Sequence, residues 1–496
     1  MSIFNTMADK IRHGIRTWLR IQPAQNGYIQ LTETLDFEGN AIKNRIWYRG
    51  ESEELSQLYS QLDTDKTRFW SAKCTPGMEI RKIHVGIPAM LADMLASIVV
   101  ADMNTIEAGN RQQEWDNIAK DNEFKELVKE AITQTLYIGD GAFKISFDTV
   151  LSKYPIIEFY AGDMIDIVRQ RGRVKEIVFK TIYTSDGQEY VLCEHYGIGY
   201  VHYELLKNDR ECSLNTIPEL ANLKDVTWSD NFMMAVPLMF YKSAKYKGRG
   251  KSIFDAKVDS FDALDEAWSE WVEALRLNKT KVYIPDSMLP RNPDTGELLA
   301  PNFFDNAYMT VDSNTSENAS NEIKREQSNI PHESYLATYI TALDLCLQGI
   351  MSPSTLGIDV KKLDNAEAQR EKEKATLYSR NNIVEQLQEV LPKLVNIVFK
   401  AVDTFNMTAT KDMDINVTFG EYANPSFESQ VETVSKAKSG GIMSIEASVD
   451  ELYGDTKDDE WKQEEIARLK AEQGIAQMKE PQLNIPDKVD IDEYRV

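Results

Sequence analysis

Helical and strand patterns fall in separate blocks along this sequence, which makes it an α+β protein. Two observations carry that reading. Apolar residues recur every three or four positions on either side of residues 142–206, but alternate with a period of two inside that stretch. The pairs Arg171-Gly172 and Asp186-Gly187 divide the alternating stretch, as tight antiparallel hairpins require. At roughly 150 residues per domain, the 496 residues leave room for about three domains.

Residues 2–20 set Phe4, Met7, Ile11, Ile15 and Trp18 at helical steps among Lys10, Arg12, Arg16 and Arg20, the pattern of a basic amphipathic helix. Such a helix suits a membrane or nucleic-acid contact, or docking on its own protein with the basic face in water. Residues 83–100 are almost wholly apolar and predict a buried helix. A second helical pattern over 115–138 carries Trp115, Ile118, Phe124, Leu127, Val128 and Leu136. Strands follow near 142–148, 156–160, 164–170, 173–183, 188–196 and 200–206, a β meander that closes an α+β domain over the first 250 residues.

The 3.6-residue period returns from Ser252 to Leu277, with Ser252 and Asp255 as a variant capping box at its start. It ends in a strand-like stretch closed by Pro285. Residues 286–331 hold short apolar runs, the turn Pro293-Asp294-Thr295-Gly296 and a polar stretch rich in Asn and Ser. Leu336, Ile340, Leu343, Leu347 and Ile350 then trace one narrow apolar seam suited to a neighbouring helix. A loop of small, turn-prone residues leads into a charged helical run, 366–382. Val384, Leu387, Leu391, Leu394, Val398 and Val402 restore the apolar stripe, with Pro392 inside it and expected to kink it. A strand at 413–419 precedes helices at 426–438, 444–453 and 457–473, and an acidic tail beyond 476 is expected to be loose.

Charge narrows the functional classes. With 79 acidic and 56 basic side chains the formal charge is -23, which excludes a general phosphate binder. Four scattered cysteines give neither a zinc site nor a disulfide framework, and point to a reducing interior. The N-terminus lacks a signal-peptide core and no run of eighteen apolar residues occurs, which predicts a cytoplasmic, non-spanning protein. Gly248–Ser252, "GRGKS", follows an apolar run and precedes a helix, the setting of a phosphate-binding loop, yet Lys245 stands where that motif needs glycine. Gly197-Ile198-Gly199 lacks the third glycine of a dinucleotide fingerprint. His195 and His202 fit neighbouring strands in structural roles, while Asp163 and Asp166 read as solvated carboxylates. No catalytic residue, metal or cofactor is expected.

Four stretches in this order carry a resemblance: "YIGDGAFKISFD" ahead of the meander, "GRGKSIFDAKVDSFDALDEAWSEW", "GIMSPSTLGIDVKKLDNAEAQREKEKATLYSRN", and "AKSGGIMS" near the end. The chain resembles the portal proteins of tailed bacteriophages, particularly those of siphophages of Gram-positive hosts, over nearly its whole length. The resemblance implies a portal-type subunit with an α/β wing, a two-helix stem, a small β-containing clip and a helical crown, assembled as a ring. By residue, it makes 1–250 the wing, 251–277 and 332–351 the stem helices, 278–331 the clip and 352–365 the channel loop. The kinked wing helix and strand become 366–425, the crown 426–475 and the acidic tail 476–496.

The same resemblance implies a homo-oligomer of twelve subunits at the capsid portal vertex of a virion, built in the host cytoplasm. Double-stranded DNA would pass through its channel, weakly contacted by loop residues Ser354, Thr355, Leu356, Lys361, Lys362 and Asn365. Arg291, Asp294 and Glu297 of the clip would meet the terminase large subunit and later the head-completion or adaptor proteins; major capsid and scaffolding proteins are the other implied partners, and no membrane. Two other readings stand beside it: a nucleoside triphosphatase using Gly248–Ser252, and a membrane-associated adaptor led by the basic N-terminal helix.

Overall fold

The computed structural model describes residues 33–62, 68–73, 80–278, 281–285, 291–297, 308–311, 323–326, 330–357, 366–420, 427–453 and 459–472. The helix predicted at 2–20 and the acidic tail lie outside them. Two compact units divide the chain, 1–420 and 421–496.

The first unit opens with two helices that the periodicity did not predict, α1 (Phe37–Arg49) and α2 (Ser52–Gln61). Asp36 caps α1 by accepting the Gly39 N–H, and Gly50 ends it in the left-handed region. Buried Asn40 and Asn44 interrupt its apolar face, which hides it from pattern reading. Both asparagines donate to Asp255, and the buried Trp47 indole donates to Tyr59 at 2.9 Å. Helix α3 (Ile87–Ala101) is buried along most of its length, as its composition requires.

The single helix predicted over 115–138 is two, α4 (Gln112–Asp121) and α5 (Phe124–Ile138). Glu123 breaks it with a φ of 46°. Asn122 accounts for the break: besides the Ile118 carbonyl, its side chain serves the Pro155 carbonyl and the Ile157 N–H, tying the end of α4 to the start of β2.

The meander also divides. Strand β1 (Asp140–Ser146) sits between β2 (Ile156–Ala161) and β9 (Ala235–Met239) in one antiparallel sheet. The second sheet runs β3 (Ile165–Gln170), β4 (Arg173–Ser185), β5 (Gln188–Gly197), β6 (Tyr200–Lys207) and β7 (Arg210–Cys212), with β8 (Val226–Thr227) also on β6. Both expected hairpins have positive φ at their two central residues, 51° and 81° at Arg171-Gly172 and 51° and 71° at Asp186-Gly187. A third, at Asn208-Asp209, escaped prediction because it lacks glycine. Buried Lys144 of β1 reaches Glu194 of β5 at 2.8 Å and Glu158 of β2 at 2.9 Å, so one ammonium joins the two sheets.

Gly248–Ser252 closes the core. Asp140 is fully buried and accepts from Arg249 Nε at 2.9 Å, Arg249 Nη2 at 2.8 Å and the Gly250 N–H at 2.7 Å. A Cβ on Gly250 would lie 2.0 Å from the Gly139 carbonyl oxygen. The segment is therefore spent on an internal lock, with Arg249 lying over the Phe37 ring at 3.8 Å.

Helix α6 (Val258–Leu277) begins six residues later than the expected Ser252. The Ser252 N–H does bond to Asp255 Oδ2 at 3.1 Å, but on a turn, because Phe254 is drawn fully into the core there. Beyond α6, β10 (Lys281–Pro285) pairs parallel with β11 (Tyr308–Val311) and antiparallel with β12 (Lys324–Glu326). Helix α7 (His332–Leu347) stops four residues short of the expected Met351. Helix α8 (Ala366–Phe405) is 40 residues long and continues through Pro392. Its second half drives Ile383, Leu387, Leu391, Leu394, Val395, Val398 and Phe399 fully into the core. The carbonyl that Pro392 leaves without a donor belongs to exposed Gln388, where water can serve it.

The strand expected at 413–419 is an extended segment with two isolated bridges, Met103 to Phe419 and Glu107 to Asn416. Its neighbour over 103–107 is irregular, so no ladder forms. The second unit holds α9 (Phe427–Ser439), α10 (Ile445–Tyr453) and α11 (Asp459–Glu472), with the Tyr453 and Trp461 rings 5.0 Å apart.

Replacing Gly250 by Ala should cost upward of about 4 kcal/mol, because backbone lies where the methyl must go. Gly420→Ala, whose Cβ meets only the Asp102 carbonyl at 3.7 Å, is the benign control. Urea midpoints of the two variants should separate clearly; coincident midpoints would contradict the lock.

Candidate functional site

Helices α6 and α7 form an antiparallel pair. Trp271 stacks on Tyr335 with ring centroids 6.3 Å apart and 11° between planes, and Trp268 meets Tyr339 at 5.6 Å. Further along, the Cys346 thiol lies 3.3 Å from the Ser260 carbonyl and Lys257 donates to the Leu345 carbonyl at 2.7 Å. That ammonium sits on the last turn of α7, where the helix carries partial negative charge.

The half of the pair nearest the core is held by carboxylates. Asp262 accepts from the Phe69 N–H at 3.0 Å and the Trp70 N–H at 3.3 Å. Asp265 accepts from the Val85 N–H and the Trp70 indole, and lies 2.7 Å from His84 Nδ1. Ser269 accepts from the Ile83 N–H. Three polar residues on one face of α6 thus fasten a turn at 69–70 and the irregular stretch 83–85. The signal existed in the sequence as Asp262, Asp265 and Ser269 at steps of three and four, the spacing of a buried stripe.

The other half of the pair packs through its aromatic rings but leaves leucines outside. Of the seam expected on α7, Leu343 and Leu347 are buried, but Leu336 is 45% exposed. Leu345, Leu275 and Leu277 are exposed to 49%, 52% and 59%. Leu275, Leu277 and Leu336 lie toward the end of the pair away from the core and Leu345 at the end beside Lys257, so apolar side chains stand uncovered by the described residues at both ends of this two-helix element.

After α7 the chain enters a single 3₁₀ turn, Pro353–Leu356, closed by Gly357 with φ 70°. Ser354, Thr355 and Leu356 share this turn and are all half-buried. Lys361, Lys362 and Asn365 lie outside the described residues. Arg291, Asp294 and Glu297 are brought together on one exposed turn: the Asn292 N–H bonds to the Glu297 carbonyl at 2.9 Å, and Arg291 Nη1 donates to the Gly296 carbonyl.

His195 and His202 face each other across β5 and β6, each beside a carboxylate, Glu176 at 2.9 Å and Asp225 at 2.7 Å. Among the described residues no group of three His, Cys, Asp or Glu could hold a metal ion. Asp163, expected in water, is instead nearly buried against Arg45 at 2.6 Å, because the 3₁₀ turn at Gly162 folds it under α1. Asp166 pairs with Lys180 at 2.8 Å.

The sequence matches the family described as phage portal protein, SPP1 Gp6-like, over residues 39–479. The chain belongs to that family. Its members are structural proteins. Among solved structures it is similar to a chain in the neck of an empty GTA particle computed with C6 symmetry, at 14% identity over 74% of this chain and 90% of that one, with a TM-score of 0.38. A chain in the neck of the native GTA particle computed with C12 symmetry gives 14% identity, coverage of 75% and 91%, and a TM-score of 0.36. No curated protein matches the sequence.

Burial pushes the Asp262 carboxyl above its ordinary value, against the lowering pull of the Phe69 and Trp70 N–H groups. Because the folded value is the higher one, this contribution to stability is complete below the unfolded aspartate value of about 3.9 and is lost as pH rises through the folded value. Between acidic and neutral pH, the urea midpoint of the natural protein should therefore fall relative to that of Asp262→Asn, which cannot titrate. Parallel profiles for the two proteins would refute the assignment.

Proposed function

We propose that the chain forms a ring at one capsid vertex, of twelve copies, through which double-stranded DNA is packaged and later ejected. One observation carries this reading beyond family membership: the α6–α7 pair is fastened to the core at one end yet leaves leucines in water along its length, Leu345 near the core and Leu275, Leu277 and Leu336 toward the far end. In a closed ring every copy offers both flanks of such a pair to identical neighbours, which cover it. The pair then serves as the stem.

In this arrangement the three-stranded sheet β10–β12 with Arg291, Asp294 and Glu297 is the clip, which docks the terminase large subunit and afterwards the head-completion proteins. The α+β core of residues 1–250 with 366–425 is the wing, and α9–α11 are the crown. Ser352–Asn365 line the channel, and the small side chains of Ser354 and Thr355 suit a surface that DNA must slide past. Lys361 and Lys362 supply light phosphate contacts. Because Arg249 and Gly250 are committed to Asp140, the segment Gly248–Ser252 has little left with which to hold a nucleotide. No helix among the described residues is long and apolar enough to cross a membrane.

Negative-stain microscopy and native mass spectrometry of the purified protein should show closed rings. Leu345→Arg should abolish them while leaving the far-ultraviolet circular dichroism of the subunit unchanged; a compact monomer from the natural sequence under all conditions would end the proposal. Alanine at both Lys361 and Lys362 should leave rings intact and alter the length or retention of packaged DNA, and unaltered DNA would remove the two lysines from the channel's working surface.

A further inference from the structure

One turn of α8 carries a polar cluster that neither the core nor the ring explains. Thr376 is fully buried, and its Oγ1 accepts the Ser352 N–H at 2.9 Å and lies 3.0 Å from Thr355 Oγ1. A hydroxyl has one proton and two acceptor sites, so Thr376 takes the Ser352 N–H while its own O–H remains for Thr355. Ser379, on the same turn, donates to the Ile350 carbonyl at 2.7 Å. Ser352 Oγ in turn pairs with Ser354 Oγ at 2.8 Å.

Next to them, the buried Arg380 donates through Nε to Asp102 Oδ2 at 2.8 Å and through Nη2 to the Gly420 carbonyl. Asp102 ends α3, so the turn is tied to the core on one side and to the loop's base on the other.

We propose that Thr376 is the positioning residue of the channel loop: its hydroxyl fixes Ser352 and Thr355 to α8 and through Arg380 to the core. The proposal rests on the portal reading for the loop's task but on geometry alone for the attachment. A loop beside moving DNA is pulled along the channel. An N–H and a hydroxyl held by one buried side chain resist that pull at the root.

The test uses the full-length protein with Thr376→Val, which keeps the shape and deletes the hydroxyl, and Thr376→Ser, which keeps the hydroxyl. Hydrogen–deuterium exchange over residues 350–357 should quicken about tenfold in Thr376→Val, through the buried N–H left without a partner, with exchange in α9–α11 unchanged. Thr376→Ser should restore the natural rate, and packaged DNA should fall with Thr376→Val and recover with Thr376→Ser. Unchanged exchange at 350–357 in Thr376→Val, or equal defects in both variants, would overturn the attachment. Faster exchange with normal packaging would overturn the positioning role. Absence of rings from the natural protein is a separate result, and would overturn the portal reading while leaving the exchange comparison to stand.

Discussion

The α6–α7 pair is the element on which the rest depends, because it faces two environments at once. Its inner half uses Asp262, Asp265 and Ser269 to satisfy backbone N–H groups of 69–70 and 83–85, and its outer half offers leucines to water. Buried carboxylates hold position strictly, since removing a partner strands a charge. The pair is thus fixed in direction by its root, while its far end leaves Leu275, Leu277 and Leu336 exposed. A helix pair anchored by packing alone would tolerate sliding, and a sliding stem could not keep the register that a closed ring demands.

Much of this was legible from the sequence, and the reasons for the misses differ. Alternation and turn chemistry placed six strands within a few residues, because Arg171-Gly172 and Asp186-Gly187 fix both hairpins locally. The apolar steps of α7 and the second half of α8 were equally plain. What the pattern missed involves polar residues working inside: Asn40 and Asn44 disguised α1, and Asn122 broke a helix that periodicity drew as continuous. Of the capping box expected at Ser252 only the Asp255 half formed, the Ser252 hydroxyl bonding to Phe254 N–H and the Leu136 carbonyl instead, and the burial of Phe254 postponed the helix to Val258. Local chemistry survived in part and tertiary packing moved the boundary.

The site divides along the same line. That Arg291, Asp294 and Glu297 share an exposed turn follows from Pro293 and Gly296, which sequence displays. That Gly248–Ser252 is an internal lock does not, because its partner Asp140 lies 109 residues from Arg249. A nucleotide motif and a structural crossing both use glycine for close approach, and the sequence alone does not say whether a phosphate or the Gly139 backbone approaches. Thr376 is hidden for the same reason: a threonine in a charged helix reads as surface until the Ser352 N–H is found against it.

Charge and loop position bear on one another. Each copy brings -23, and summing that over a ring suggests a channel that repels DNA. Screening limits the reach of this field to about 8 Å at physiological salt, so distant acids contribute little at any one point. In the proposed ring, passage is decided by the groups nearest the DNA, among which Ser354 and Thr355 are small and neutral. Weak contacts discriminate only when their distance is held, since a loop free to swing would carry its lysines onto phosphate in one moment and leave a gap in the next. In the proposed channel, the turn at Thr376, Ser379 and Arg380 holds the root of the loop at a fixed distance.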